Sequence, residues 1–283
     1  MNKLISVVIP VYNAEDTIER CIKSIKDEEI EIIVVVDGAT DNTLNICRNL
    51  QEKDERVIII EQENKGQLEA RETGILNAHG QYIMFLDADD CFEECNIKRI
   101  KEIIQKYEKP DLIRFRYRKL PDNYEQYKYF EKDETEILKE EFREKVYPIF
   151  LDGYMLNTLW TNCVKKEVIK NIKIRTNRNI KYGEDLLVNL EIFSHIQRVV
   201  FVNDVLYDYI YKENSVTTSR NVSKLMNNLR DCIKVYSLLY QYIIKWDMVS
   251  GANLQKVSDR ITKETDSIIE LILKTDTNIH NTN

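Results

Sequence analysis

Glycine and proline are scarce in this chain, seven and four among 283 residues, and nowhere do they gather into a flexible linker. No apolar run approaches the ~20 residues that a membrane-spanning helix needs. The six cysteines include no Cys-x-x-Cys pair. Cys91 and Cys95 are the nearest two and fall short of a structural zinc set, so reduced cysteines in a cytosolic protein are expected. The histidines are His79, His195 and His280, scattered along the chain, and His79 reads as a partner for a helix C-terminus. No G-x-G-x-x-G follows the first strand and no G-x-x-x-x-G-K-[ST] occurs anywhere, which disfavours a dinucleotide oxidoreductase and a P-loop NTPase. The net charge of −7 argues against a nucleic-acid binder. Met1-Asn2-Lys3 leads straight into a strand-like run, so no leader peptide is expected.

What is present is an alternation of apolar strands and amphipathic helices. Leu4 to Pro10, Glu31 to Val36, Val57 to Ile60 and Tyr82 to Leu86 read as buried strands. Between them Ile18, Cys21, Ile22 and Ile25 mark one helical face, with Asn13 as its cap. Leu44, Cys47 and Leu50 mark a second helix, and a third runs from about Gln67 to Asn77 with Gly80 as a left-handed stop. Ile97, Ile100, Ile104 and Tyr107 give a fourth. Strand and helix at this spacing mean right-handed crossovers and an α/β fold.

The central stretch is Tyr82-Ile83-Met84-Phe85-Leu86-Asp87-Ala88-Asp89-Asp90. Ligands of open α/β sheets collect beyond the carboxyl ends of strands. Clustered acids there call for a positive partner, and a divalent cation with oxygen ligands is the usual one. The alternative is that these acids only cap the next helix, which is the expected task of Asp90.

Val8-Ile9-Pro10-Val11-Tyr12-Asn13, Asp37-Gly38-Ala39-Thr40-Asp41, Asn64-Lys65-Gly66 with Ala70-Arg71-Glu72-Thr73-Gly74, and Phe85-Leu86-Asp87-Ala88-Asp89-Asp90 occur in that order. Together they resemble glycosyltransferase family two, of the GT-A fold. The resemblance implies a Rossmann-like, mostly parallel central sheet flanked by helices. It also implies an inverting, metal-dependent transfer of a sugar from a UDP-sugar to an acceptor hydroxyl, in cell-surface polysaccharide or glycoconjugate assembly. Asp89 is the expected ligand of Mn2+ or Mg2+. Asp87 is expected on ribose or sugar hydroxyls or on the metal's water shell. Pro10 ends the first strand so that Tyr12 can stack on uracil, and Asp37 accepts a hydrogen bond from the base. Arg71, a planar fork suited to phosphate, serves diphosphate or base. Two positions depart from the family pattern: Val36 stands where a first aspartate is usual, and Glu72 where asparagine is usual.

In the second half, Ile113, Phe115 and Tyr117 alternate with Arg114, Arg116 and Arg118, the pattern of a charged edge strand. Residues 121–136 read as a variable loop. Trp160 and Asn162 resemble the tryptophan and amide that lie on the acceptor side in this family. Glu184 and Asp185 follow Gly183 and open a helix; the resemblance points to Asp185 as the base that takes the acceptor proton, and helix-end stabilisation is the alternative. Val199 to Val202 and Leu206 to Tyr211 read as two strands, and Glu213 to Thr217 resembles a stretch that closes over the diphosphate. From about Ser219 a helical appendage is expected, with Leu225, Leu229, Cys232, Ile233 and Tyr236 on its inner face.

The expected organisation is a transferase domain over 1–218, divided into a nucleotide-sugar half (1–119) and an acceptor half (120–218), and a helical extension over 219–283. The acceptor is a saccharide, a lipid-linked sugar or a protein. The missing spans argue against a processive exporting synthase, and peripheral contact with the inner membrane face stays open, as does the oligomeric state. The alternative is a non-catalytic nucleotide-sugar-binding protein of the same fold; a sugar-nucleotide pyrophosphorylase would need a glycine-rich loop that the chain lacks.

Overall fold

The structure is a computed structural model that describes residues 3–172, 180–211 and 221–280, the last five of these by backbone alone. Its framework follows from β-branched runs too apolar to face water. β1 (Ile5–Val11) and β2 (Glu31–Asp37) are buried at every position, as strands covered on both faces must be. α1 (Ile18–Lys23) joins them with Ile18, Cys21 and Ile22 turned inward. α2 (Thr43–Gln51), β3 (Val57–Gln62), α3 (Gln67–Asn77) and β4 (Tyr82–Phe85) continue the alternation. β1 pairs in parallel with β2 on one side and with β4 on the other, and β2 pairs in parallel with β3. The chain thus builds outward from β1 to β3, then crosses back and lays β4 on the opposite side. That reversal opens a crevice at the carboxyl ends of β1 and β4.

β5 (Cys91–Phe92), α4 (Asn96–Lys106), β6 (Leu112–Leu120), β7 (Tyr124–Glu125) and β8 (Glu134–Leu138) come next. α5 (Phe142–Lys145) and α6 (Tyr147–Asp152) precede β9 (Asn162–Lys165) and α7 (Lys166–Lys170). α8 (Glu184–His195), β10 (Arg198–Ile210), α9 (Val222–Lys245) and α10 (Gly251–His280) complete the order. The strands form one mixed sheet, β3-β2-β1-β4-β9-β6-β10-β5, with β7 beside β6 and β8 beside β10. Two compact units emerge. The first contains Met1–Lys139, Thr158–Arg178 and Glu191–Tyr211, and so the whole sheet. The second contains Glu140–Asn157, Asn179–Leu190 and Lys212–Asn283. In the second, α9 and α10 pack on each other, and the Trp246 ring lies flat on Tyr147 at 4.0 Å. Among the described residues no helix is long and apolar enough to cross a membrane.

Several local expectations are corrected. β6 is no edge strand: it lies between β9 and β10, and Arg114 and Arg116 are buried. Their alternation marks two packed faces, because each guanidinium finds partners inside. Arg116 donates to the carbonyls of Gln126 and Asn203. The two strands expected at 199–202 and 206–211 are one, β10, with register shifts around Val205 where the polar Asn203-Asp204 pair is absorbed. Residues 121–136 contribute β7 and part of β8. Asn13 caps no helix; it sits at φ +47° and accepts the Thr40 N–H at 2.8 Å, joining the loops after β1 and β2. On α9, Leu225, Cys232 and Tyr236 are buried as expected, but Ile233 faces out.

Gly74 on α3 and Gly80 before β4 are needed for close approach. A Cβ at Gly74 would stand 2.3 Å from a Val8 methyl, and one at Gly80 would stand 2.5 Å from the Ser6 hydroxyl. Gly80 is therefore no left-handed stop: φ is positive only at Gly38, Gly66 and Gly183 among the glycines. His79, expected at a helix end, instead meets Glu31. That carboxylate, at the start of β2, is buried and accepts from the Ser6 hydroxyl, from the His79 and Gly80 backbone N–H groups, and lies 3.1 Å from His79 Nδ1. One side chain thus binds the entry ends of β1, β2 and β4.

Burial alone would raise the Glu31 carboxyl, but the hydrogen bonds from Ser6, His79 and Gly80 outweigh it and hold the group below its ordinary value. A depressed carboxylate stabilises the fold above the unfolded value, about 4.3, and this contribution fades as pH falls through the folded value. Glu31→Ala is expected to cost about 1–3 kcal/mol in urea unfolding at pH 7, from donors left buried without an acceptor. The acid limb of stability below about pH 4.3 should flatten in Glu31→Gln relative to the unsubstituted chain.

Candidate active site

β1, β2 and β4 run in the same direction, and their carboxyl ends carry the residues singled out in the sequence. Pro10 pairs with Val35 in β1 and lies beyond the last β1–β4 pair, Val8 with Phe85. In the alternation of a parallel strand its missing N–H falls on the side where β4 has already ended, so no ladder bond is lost. Tyr12 follows directly and is 51% exposed, an aromatic ring open to a ligand. Asp37 ends β2, and Asp87 and Asp89 follow β4.

The structure uses Asp37 to build the edge itself. Its Oδ1 accepts from Gln62 Nε2 at 2.7 Å and from the Lys65 N–H at 2.8 Å, and its Oδ2 accepts from the Gly66 N–H at 2.8 Å. The Asn64-Lys65-Gly66 turn is thereby held against β2. It approaches so closely that a Cβ at Gly38 would stand 2.6 Å from the Asn64 nitrogen. The loops after β1 and β2 are laced together as well: Ala14 N–H donates to Thr43 Oγ1, Glu15 N–H to Asp41, and Asn42 N–H to Glu15. Much of the motif pattern therefore encodes loop geometry.

Asp87 is the most engaged of the acids. Arg71 Nη2 lies 2.9 Å from its Oδ1, and the same oxygen accepts from Gln67 Nε2 at 3.0 Å. Arg71 is fully buried, with its guanidinium 5.8 Å from the Phe85 ring centre. α3 thus delivers a cation from below and an amide from its first turn to one carboxylate. Asp89 is half-buried, and its carbonyl accepts from Arg20 Nη2 at 2.7 Å. Asp90 corrects the expectation that it caps a turn. It is buried, accepts from the Tyr207 hydroxyl at 2.6 Å and from the Ile210 N–H at 2.8 Å, and so ties the acidic loop to β10. Burial, reinforced by the nearby charges of Asp87 and Asp89, pushes its carboxyl up to about 8. Tyr207 also accepts the Asp87 N–H at 3.3 Å, and the Trp160 ring stacks on it at 4.2 Å. Trp160 is thereby brought to the acidic loop through Tyr207. Asn162 is not presented to solvent. It is fully buried beside β6, and its Oδ1 accepts from Arg114 Nη1 at 2.7 Å.

The residues that could hold a cation are Asp87 and Asp89. Among the described residues no group of three or more His, Cys, Asp or Glu is arranged for a metal. Two carboxylates suit Mg2+ or Mn2+, which take one or two such ligands and complete their shell with water and substrate phosphate. Gln67, Arg20 and Tyr207 were missed from the sequence, and Asp90 was given another task. Gln67 alone carried a signal, its place beside the Asn64-Lys65-Gly66 turn. In the second unit Glu184 and Asp185 form the first turn of α8, both half-buried, directly after Gly183 at φ +81°. The stretch Glu213 to Thr217 lies outside the described residues.

The description "Glycosyl transferase family 2" fits residues 6–158, more than half of the 283, and the chain belongs to that family. It is 31% identical over 227 residues to glycosyltransferase GlyA of Streptococcus pneumoniae, covering 75% of this chain and 31% of GlyA. It is 29% identical over 221 residues to the uncharacterized glycosyltransferase EpsJ of Bacillus subtilis, covering 77% and 64%. The chain thus spans less than two thirds of either relative's length. The crystal structure of S. aureus TarS 1–349 in complex with UDP-GlcNAc shares the fold at a TM-score of 0.64 and 17% identity, over 96% of this chain and 89% of that one. The fold is GT-A-like, with two long C-terminal helices.

The role of Asn162 seen here can be tested apart from catalysis. Asn162→Ala leaves the buried Arg114 guanidinium short of an acceptor and is expected to destabilise the chain by about 1–3 kcal/mol in urea unfolding. Asn162→Asp, which keeps an oxygen facing Arg114, should recover most of that loss.

Proposed function

We propose that the chain moves a sugar from a UDP-sugar to an acceptor hydroxyl with inversion at the anomeric carbon, in the assembly of a cell-surface polysaccharide or glycoconjugate. The observation that carries this reading is the convergence of Tyr12, Asp37, Asp87 and Asp89 on the carboxyl edge of parallel strands, with Arg71 buried against Asp87. UDP as the donor nucleotide is supported by the UDP-GlcNAc bound in TarS, a protein of the same fold.

In this reading the Tyr12 ring stacks on the base and Asp37, while holding the 64–66 turn, offers a remaining lone pair to the base edge. Arg71 pairs with Asp87 and holds it in one orientation toward ribose hydroxyls or the water shell that a bound metal would carry. Asp89 supplies the direct ligand. These two carboxylates would hold a divalent cation, which would supply charge compensation for the departing diphosphate. Asp185 accepts the proton of the acceptor hydroxyl as that oxygen attacks from the face opposite the leaving group. The nearby Glu184 is the second candidate for that task.

Two substitutions separate the roles. Asp89→Asn is expected to weaken Mn2+-dependent UDP binding in calorimetry at least tenfold and to reduce UDP release from the preferred UDP-sugar by about 10²-fold or more. Asp185→Asn should leave UDP affinity within twofold while stopping transfer. Turnover by Asp185→Asn at the unsubstituted rate would remove the base assignment. Tight UDP binding without turnover on a panel of UDP-sugars and acceptors would instead favour a nucleotide-sugar-binding protein.

A further inference from the structure

The residues leading into the Glu184–Asp185 turn are held by the C-terminal helices, through three independent contacts within the second unit. The Lys181 N–H donates to Asp231 Oδ2 on α9 at 2.8 Å, and Asp231 is itself buried. The Tyr182 hydroxyl lies 3.2 Å from Glu264 Oε2 on α10. At Gly183 a Cβ would stand 3.3 Å from a methyl of Val235 on α9. Gly183 thus lets its backbone, at φ +81°, lie close over the helix. Three successive residues are fixed by a hydrogen bond to backbone, a hydrogen bond to a side chain, and a packing contact.

The same helices hold a second segment of that unit. Arg260 on α10 is buried between the rings of Tyr154 and Tyr236, each 5.0 Å from its guanidinium carbon. It donates to the Phe150 carbonyl and lies 3.3 Å from Asn157 Oδ1. Segment 150–157 is in turn joined to α8 by Asn189 Nδ2, which donates to the Leu156 carbonyl at 2.8 Å. α8 is therefore fixed at its approach by α9 and α10 directly, and along its length through 150–157.

The geometry points to a catalytic task for the helical extension: α9 and α10 set the position of the acid turn at 184–185, with Asp231, Tyr182 and Glu264 as positioning residues. The inference rests on the reading of Asp185 as the base and gives the C-terminal helices a role in that reaction. A base must stand within hydrogen-bond reach of the proton that it removes, and a displacement of about 1 Å can cost about a hundredfold in rate. A turn whose three preceding residues are tethered has little freedom to drift by that amount.

The test uses the full chain with Asp231→Ala, Asp231→Asn, Tyr182→Phe and Asp185→Asn. Asn at 231 keeps an oxygen that accepts the Lys181 N–H, whereas Ala removes it. Asp231→Ala is expected to lower kcat about tenfold to a hundredfold, with UDP affinity by calorimetry within twofold, and Asp231→Asn to restore kcat to within about threefold. Tyr182→Phe should lower kcat in the same sense. Hydrogen exchange over residues 181–187 should quicken in Asp231→Ala and return to the unsubstituted rate in Asp231→Asn. Equal kcat and equal exchange in Asp231→Ala and the unsubstituted chain would overturn the inference, as would a loss of kcat that Asp231→Asn does not rescue. Retained turnover in Asp185→Asn would instead strike at the base assignment, while the exchange comparison would still decide whether α9 tethers the turn.

Discussion

The contact between Arg71 and Asp87 is the constraint on which the candidate site depends. A guanidinium buried beneath the sheet edge needs a carboxylate, and Asp87, the first acid after β4, lies 2.9 Å from it. Breaking a buried ion pair by removing one member costs about 3–5 kcal/mol. The interaction therefore selects a single orientation for Asp87, and Gln67 reinforces it on the same oxygen. Around this pair the other groups are arranged in relation to the chain: Asp37 holds the turn from which α3 springs, and Tyr207 fixes the Asp87 backbone from the β10 side.

β2 shows how few polar groups such an arrangement requires. Its interior is apolar, and its two ends are buried acids. Glu31 gathers the entry ends of three strands, and Asp37 ties the exit of β2 to the end of β3 and the turn that follows it. Each satisfies several backbone N–H groups that no ladder reaches, as buried polar groups must be satisfied. The strand is thus pinned at both termini by charge-assisted hydrogen bonds, and the candidate site lies at the Asp37 end.

The alternation of strands and helices through β4 was legible because each element buries a continuous or periodic apolar face, and this pattern is local. The order of the acids and of Arg71 was legible for the same reason: each follows directly on a strand or lies in a helix between two of them. What escaped were pairings across long sequence separations. Arg114 and Arg116 read as solvated because acceptors that satisfy their guanidinium groups inside the protein, Thr158, Asn162 and Asn203, come 44, 48 and 87 residues later. Asp90 read as a cap because Tyr207, 117 residues away, gives no local sign of its direction. The ties of Lys181 to Asp231 and of Tyr182 to Glu264 span 50 and 82 residues. Asp231 and Glu264 do fall in register with the buried positions of their helices, Asn228 and Val235 on α9 and Arg260 and Ile268 on α10, but an acid on such a stripe carries no sign of which residue it meets.

Gly74 has a consequence that reaches the sheet edge. With a Cβ there only 2.3 Å from Val8, nothing can be inserted between the axis of α3 and β1, and the helix rests on the strand with no slack. Arg71 lies one turn earlier on the same helix, so the depth at which its guanidinium meets Asp87 is fixed by that bare approach. A missing methyl group at one position acts as the ruler for a charge at another.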